Sequence, residues 1–447
     1  MFMFPCRIVL AISLLVLLVT GCERVPNTPP PLDPNPVWST LTAAIVEDGF
    51  SPPVAGRIYA YAYLAQYEAL AAGREDLPSF GVALRDCAPH VVDHEVTGDG
   101  YDASLAALAA FQFAGAELVY REFIIEDAFQ AWEDSLLANG WPQDVVDHSF
   151  EVARAISDSV LAYAADDGYK RTRNMPLFEI PDDWGSWEPT PPVYGTAIEP
   201  YWDLLRPFLV DSASAYRTHY DIDYDTAVGS SFYREAMVVY DSVNVLTEDR
   251  VRQAEYWDCN PRETLASGHM MTQIKQMNPG GHWLAIGQTV MEDIDMPLDD
   301  RIRVNAVLAL TIHDAFLVCW HEKYTTNLIR PETYINRHID AGWRPILETP
   351  LFPEFTSGHS VISAASAEVL TEMVGDSIAY IDSVNFFLGL PPRSFGSFRE
   401  AAAEAAMSRL YGGIHYMPAI RLGVDQGRQV AAHAMAELPI GAMEESH

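Results

Sequence analysis

Long runs of alanine, leucine and aromatic residues at helical spacing leave this chain few folds to choose from. The stretches "VWSTLTAAIVEDG" (37–49), "VAGRIYAYAYLAQYEALAAG" (54–73), "SLAALAAFQFAGAELVYREFI" (104–124), "DSVLAYAADDGY" (158–169) and "RIRVNAVLALTIHDAFLVCW" (301–320) repeat apolar residues three or four apart, with Gly or Pro stops. Period-two alternation, the mark of half-buried strands, is scarce. An all-α, multi-helix bundle is the economical expectation. The segment from Pro181 to Trp202, with its prolines and three tryptophans, reads as a structured excursion between helices.

The 447 residues, 49% of them hydrophobic, can bury one large or two modest cores. The first 21 residues read differently. Arg7 is their only charge, Ile8 to Val19 is almost wholly apolar, and "LVTGC" follows. That run is too short, and too closely followed by small residues, to be a retained membrane span. It resembles a bacterial lipoprotein signal in which Cys22 becomes the lipidated N-terminus; a plain secretory signal or an uncleaved anchor is the alternative. Glu23 after the cysteine fits the outer-membrane pattern of such proteins. Residues 22–36, rich in proline, are expected to form an extended tether, and 37–447 a single helical domain with its active-site motifs in 314–428. No membrane-spanning run is expected after residue 21. With residues 1–21 removed and Cys22 lipidated, Cys87, Cys259 and Cys319 remain, too few for a disulfide scaffold. An exported compartment permits a Cys87 to Cys259 bridge, whereas Cys319, inside "AFLVCW", reads as a buried thiol.

The formal charge is −34, from 28 Lys plus Arg against 62 Asp plus Glu, which makes nucleic acid and anionic lipid surfaces poor partners. A chain this acidic must concentrate its few cations to hold an anion. Three clusters in the last third do so. In "KYTTNLIRP", Lys323 and Arg330 stand seven apart on one side of a helical or turn-like stretch, a point charge beside a planar fork of donors. In "FPEFTSGHSVISAASAEVL", Ser357, Gly358 and His359 fall in the first turn of an apolar helix, where free amides and the positive dipole end receive anions. In "SRLYGGIHY", Arg409 and His415 flank a glycine pair that lets the chain turn tightly. Taken singly, each has an ordinary structural explanation: solvated surface charge, or a serine N-cap. Together they amount to a cage for a tetrahedral or bipyramidal oxyanion, with imidazoles left for chemistry.

Lys323, six residues, Arg330-Pro331; Ser357-Gly358-His359; Ser408-Arg409, five residues, His415: this order resembles the three-part signature of the vanadium-dependent haloperoxidase and type 2 phosphatidic acid phosphatase superfamily, and the bacterial haloperoxidase-like branch within it. The resemblance implies that Lys323, Arg330, Ser357, the Gly358 amide and Arg409 bind the oxyanion. It implies that His415 is either the axial ligand of vanadium or the nucleophile on a phosphoryl group, and that His359 is the general acid/base. As cofactor it implies vanadate; as substrates, hydrogen peroxide, a halide oxidised to hypohalous acid and an organic acceptor, with Lys323 polarising the peroxide. A lipid anchor would add a membrane, and homo-oligomerisation stays open.

One position departs from the pattern. Where phosphatase members and many haloperoxidases carry an Asp four residues after the last histidine, this chain has Ala419. Without an orienting carboxylate a histidine nucleophile is less activated, whereas a metal ligand needs only a neutral nitrogen, which tilts the reading toward vanadate. Asp425 is expected to cap or pair with Arg428. Asp314, in an apolar helix, is expected to need a cation, with Arg409 or Lys323 as candidates. An acid phosphatase working through a phosphohistidine is the alternative enzyme, and a non-catalytic oxyanion-binding lipoprotein the alternative of another class. Ser267-Gly268-His269 repeats the SGH triplet without the preceding cations and reads as structural; His282 reads as a turn into a buried helix or a residue of the site's mouth, and His313 and His321 as core or rim residues.

Overall fold

The computed structural model describes residues 31–87, 100–260, 263–267 and 270–440. The expected signal 1–21, Cys22 and most of the tether lie outside them, as do Gly268 and His269 of the second SGH triplet. Among the described residues the chain forms α1 (Asn35–Asp48), α2 (Pro52–Ala72), α3 (Ala103–Ala116), α4 (Glu122–Ala138), α5 (Gln143–Ala165), a single turn α6 (Tyr169–Thr172), α7 (Ser231–Asn244), α8 (Glu248–Tyr256), α9 (Pro279–Asp293), α10 (Leu298–Thr326), α11 (Pro331–His338), α12 (Gly358–Met373), α13 (Phe398–Tyr411) and α14 (Met417–Glu437). Two antiparallel hairpins, β1 (Glu263–Ser267) with β2 (Met270–Ile274) and β3 (Tyr380–Asp382) with β4 (Arg393–Phe395), are the described sheet structure. The all-α expectation holds.

Helix α1 starts at Asn35 with a proline in its first turn, two residues before the expected onset, because proline's fixed φ suits a helix start. The run 104–124 is two helices: α3 ends at Ala116, and α4 opens at Glu122. Helices α2 and α10 are buried on almost every face, so their apolar residues surround the axis rather than forming one stripe. A side chain at Gly56 of α2 would meet the Phe316 ring of α10 at 2.9 Å, so the glycine sets how closely these helices approach. Helix α10 is the one described helix long and apolar enough to cross a membrane by composition, where no such run is expected after residue 21. Its apolar window is wholly buried inside the protein, so its hydropathy reflects a core position.

The helices that carry the signature are aligned by small residues. A Cβ at Gly427 of α14 would lie 2.1 Å from the Val361 carbonyl of α12, and one at Gly423 would lie 3.0 Å from the Ser360 side chain. These glycines, four apart on one face, let α14 press against α12. The Ser357 amide donates to the Ala419 carbonyl at 3.1 Å, so the N-terminal ends of both helices meet. Ala419 itself is fully buried against that contact. The 181–202 segment is irregular, as expected: Trp187 and Trp202 are sealed in the core while Trp184 is exposed.

None of the three described cysteines is in a disulfide, so Cys87 and Cys259 do not pair. Cys259 instead contacts His282, and Cys319 lies against Thr356.

Candidate active site

Helix α10 ends at Asn327, which adopts a left-handed conformation, and the chain then turns to Arg330 at the N-cap of α11. Lys323 in the last turn of α10 is fully buried and donates to the carbonyls of Pro353 (3.1 Å), Glu354 (3.2 Å) and Thr356 (2.5 Å). Burial, reinforced by the Arg330 charge, lowers its pKa to about 7. Arg330, also sealed, donates from Nε to Phe352 and from Nη1 to Ile414, both at 2.9 Å, while Nη2 has no partner among the described residues.

Ser357 caps α12, its Oγ accepting from the Ser360 amide at 3.4 Å. Gly358 and His359 follow, and as first-turn residues their amides have no intrahelical acceptor. Gly358 lines the cavity described below, and a Cβ there would meet the Trp320 ring at an ordinary 3.8 Å. Arg409 closes α13, and Gly413, at φ 79°, makes the turn that delivers His415 ahead of α14. Arg409 donates from Nη1 to the Trp257 carbonyl at 2.6 Å, approaches Asp258 at 3.6 Å, and keeps Nε unpartnered. His359 contacts the same Trp257 carbonyl, and its Nε2 is buried with no partner.

His415 carries the clearest electronic assignment. Its Nδ1 lies 2.9 Å from Glu354 Oε1, and its Nε2 lies 3.2 Å from Arg330 Nη1. A guanidinium only donates, so Nε2 presents its lone pair and Nδ1 carries the proton toward Glu354. Burial, then the Arg330 and Lys323 charges, push the His415 pKa well below the usual histidine value; burial and the Arg409 charge do the same to His359. Both rings are neutral at pH 7. Burial raises the Glu354 pKa to about 7 against the pull of Arg330, and Oε1 also accepts from the Tyr416 amide at 2.8 Å.

Glu354 therefore supplies the carboxylate that position 419 lacks, from the segment preceding α12 instead of from α14. The expectation that His415 has no orienting carboxylate is overturned, and with it the preference for vanadate built on Ala419. The only hint in the sequence was an acid within the apolar "LFPEF", three residues before Ser357. Trp257, which holds Arg409 and His359, and Asp258, which faces Arg409, had no such hint, since they lie 100 to 152 residues away from those partners in sequence.

Asp314 does not join the cage. Its carboxylate accepts the amides of Phe208 (2.8 Å), Leu209 (2.7 Å) and Val210 (3.0 Å), and His313 Nδ1 lies 3.2 Å away. Three amide donors replace the cation it was expected to need. Arg428 pairs with Glu368 rather than Asp425. His321 pairs with Asp203 at the rim and His313 is buried, as expected of core and rim residues.

Gly358, His359, Arg409 and His415 line one cavity of about 690 Å³, which runs outward past Trp320, Phe352 and Tyr194. Buried donor atoms without protein partners on Arg330 and Arg409, beside two neutral imidazoles and a buried lysine, fit a tetrahedral or bipyramidal oxyanion such as vanadate. They make a candidate anion site in a protein whose formal charge is −34.

The model of the VCPO second helical-bundle domain matches residues 303–439. A crystal structure described as the first bacterial vanadium-dependent iodoperoxidase is 35% identical, covers 94% of this chain and 100% of its own, and superposes with a TM-score of 0.85. Structures of a bacterial vanadium-dependent chloroperoxidase in holo and apo forms, each 14% identical, superpose at 0.66 over 88% of this chain and 94% of theirs, and at 0.63 over 86% and 93%; they show the shared fold. Among curated proteins none matches. The chain belongs to the vanadium-dependent haloperoxidase family.

Proposed function

We propose that this protein is a vanadium-dependent haloperoxidase that binds vanadate at His415 and oxidises a halide with hydrogen peroxide. The carrying observation is the His415 lone pair at Nε2, fixed by the Glu354 contact at Nδ1 and surrounded by buried cations with unpartnered donors. Bound vanadate supplies a Lewis acid that activates peroxide without a change of oxidation state. The protein does the rest. Arg330, Arg409, Lys323, Ser357 and the Gly358 amide neutralise and position the oxyanion. Lys323, whose three N–H groups are held by backbone carbonyls, contributes its positive charge from behind the cage rather than by direct contact with the peroxide, and His359 Nε2 takes up and returns a proton. The enclosing Trp320 and Phe352 limit water around these charges and strengthen them.

The 35% identical relative is described as an iodoperoxidase, which makes iodide the first halide to test. Export and a lipid anchor at Cys22 belong to the same proposal and would place hypohalous acid production outside the cytoplasm.

A second reading draws on Glu354. A histidine oriented by a carboxylate is also a competent nucleophile, as an acid phosphatase working through a phosphohistidine requires. Iodide oxidation by the purified protein, assayed with peroxide before and after adding orthovanadate and beside hydrolysis of a phosphate ester, separates the two. Vanadate-dependent turnover that disappears in His415→Ala supports the haloperoxidase. Ester hydrolysis that vanadate inhibits, with no halide oxidation, supports the phosphatase. Saturable vanadate binding that persists in His359→Ala, with neither turnover, leaves a simple oxyanion binder.

A further inference from the structure

Beside the cage lies a second chemical constellation that the proposed activity does not use. Cys259 Sγ is 3.6 Å from His282 Nδ1, and His282 Nε2 is 2.8 Å from Asp382 Oδ2. All three side chains are buried. They come from separate elements: Cys259 follows α8, His282 sits in the first turn of α9, and Asp382 ends β3. Asp382 is fixed further, accepting from the Val384 amide at 3.0 Å. The imidazole stacks on Trp257 with ring centroids 4.9 Å apart, an arrangement that favours a cationic ring. Burial works against its proton, while Asp382 and the Cys259 sulfur together push the His282 pKa up to about 10. Asp382 in turn stays ionised, its pKa lowered because the His282 charge outweighs burial.

Cys259 is thus 3% exposed yet lines the cavity shared with His359, Arg409 and His415. Two cations act on it: His282, and Arg409, whose charge Asp258 and Cys259 help to stabilise against burial. A thiol sulfur held against an imidazole that is itself oriented by a carboxylate has the arrangement of an activated nucleophile. The unpartnered Nε2 of His359 is a further sign that small polar molecules enter this space.

We propose that Cys259, activated by His282 and Asp382, is a modification site that hydrogen peroxide oxidises to the sulfenic acid. The Cys259 thiol passes its proton to His282 Nδ1 as the sulfur attacks one oxygen of the peroxide; an S–O bond forms as the O–O bond breaks. Sulfur loses two electrons and the peroxide gains them. The departing hydroxide takes the Nδ1 proton of His282 and leaves as water. The net change converts thiol and peroxide to sulfenic acid and water, with no other reactant.

The test uses chelator-treated full-length protein without vanadate, exposed to hydrogen peroxide in the presence of dimedone and read by peptide mass spectrometry. Cys87 and Cys319 are internal controls, since burial pushes the Cys87 thiol up to about 11 and raises that of Cys319 too. The expected result is dimedone on Cys259 at least tenfold faster than on either control, falling at least tenfold in His282→Asn. Labelling of Cys259 no faster than the controls in the wild-type protein overturns the proposal and needs no variant to fold. With vanadate absent, failure here stays distinct from failure of the haloperoxidase reading.

Discussion

Arg57 and Arg330 are both sealed inside helical cores, and the two regions treat them in opposite ways. Arg57, on α2, meets Asp167 at 2.6 Å; it also donates to the Ala164 carbonyl and lies over two tyrosine rings. Asp167 in turn accepts from Tyr61 and the Tyr169 amide. That charge is answered locally. Arg330 meets carbonyls and a neutral imidazole, with Lys323 and Arg409 close enough to compete, and retains an unpartnered Nη2. Its counter-charge, Glu354, is itself pushed toward neutrality by burial. A core built for stability pairs its buried charges, whereas a core built for an anion leaves cationic donors for the anion to complete.

Breaking the paired side has the larger effect on folding. Arg57→Met leaves Asp167 buried without its cation and is expected to cost about 3–5 kcal/mol in chemical denaturation, with vanadate affinity unchanged in the fraction that folds. Arg330→Met is the mirror case. Turnover is expected to fall on the order of 10²–10³-fold, as for loss of one oxyanion donor, while the denaturation midpoint without anion moves far less than in Arg57→Met. Glu354→Gln keeps an acceptor for His415 Nδ1 but removes the charge. It should lower vanadate affinity or kcat by about 10–100-fold, checked by titration and steady-state kinetics.

Acidity sharpens the comparison more gently. Lys323 has a folded pKa of about 7, below its ordinary 10.5, so between those values the unfolded chain binds more protons. On its account the anion-free protein gains stability as pH rises from about 7 to 10.5, and loses that gain below 7. Anion affinity should run the other way, strongest below pH 7 and weakening above it. Thermal unfolding with and without orthovanadate across pH 6 to 9 reads both, and Lys323→Met should flatten both trends. The smallest effect is expected for Ser357→Ala, about 1 kcal/mol of helix stability from the lost cap with a few-fold loss of affinity.

Much of this was legible in the sequence because helices and their termini are local. The apolar period marked α1, α2 and α10, and Ser357-Gly358-His359 sits at the helix start where small residues after His359 placed it. The contacts that complete the site were less legible because they are not local. Glu354 reaches His415 across 61 residues and Trp257 reaches Arg409 across 152, and neither pairing has a period or spacing to betray it. Asp314 shows the reverse error. Its burial was readable, but its partners are backbone amides of 208–210, which no side-chain pattern announces.

The most direct test of the central claim is calorimetric titration of orthovanadate into chelator-treated protein at pH 6 and pH 9. One site per chain, tighter at pH 6 and lost in both His415→Ala and Arg330→Met, is the result expected if the unpartnered donors are reserved for an oxyanion. No saturable binding by the folded wild-type protein, or binding that survives both substitutions, would contradict it.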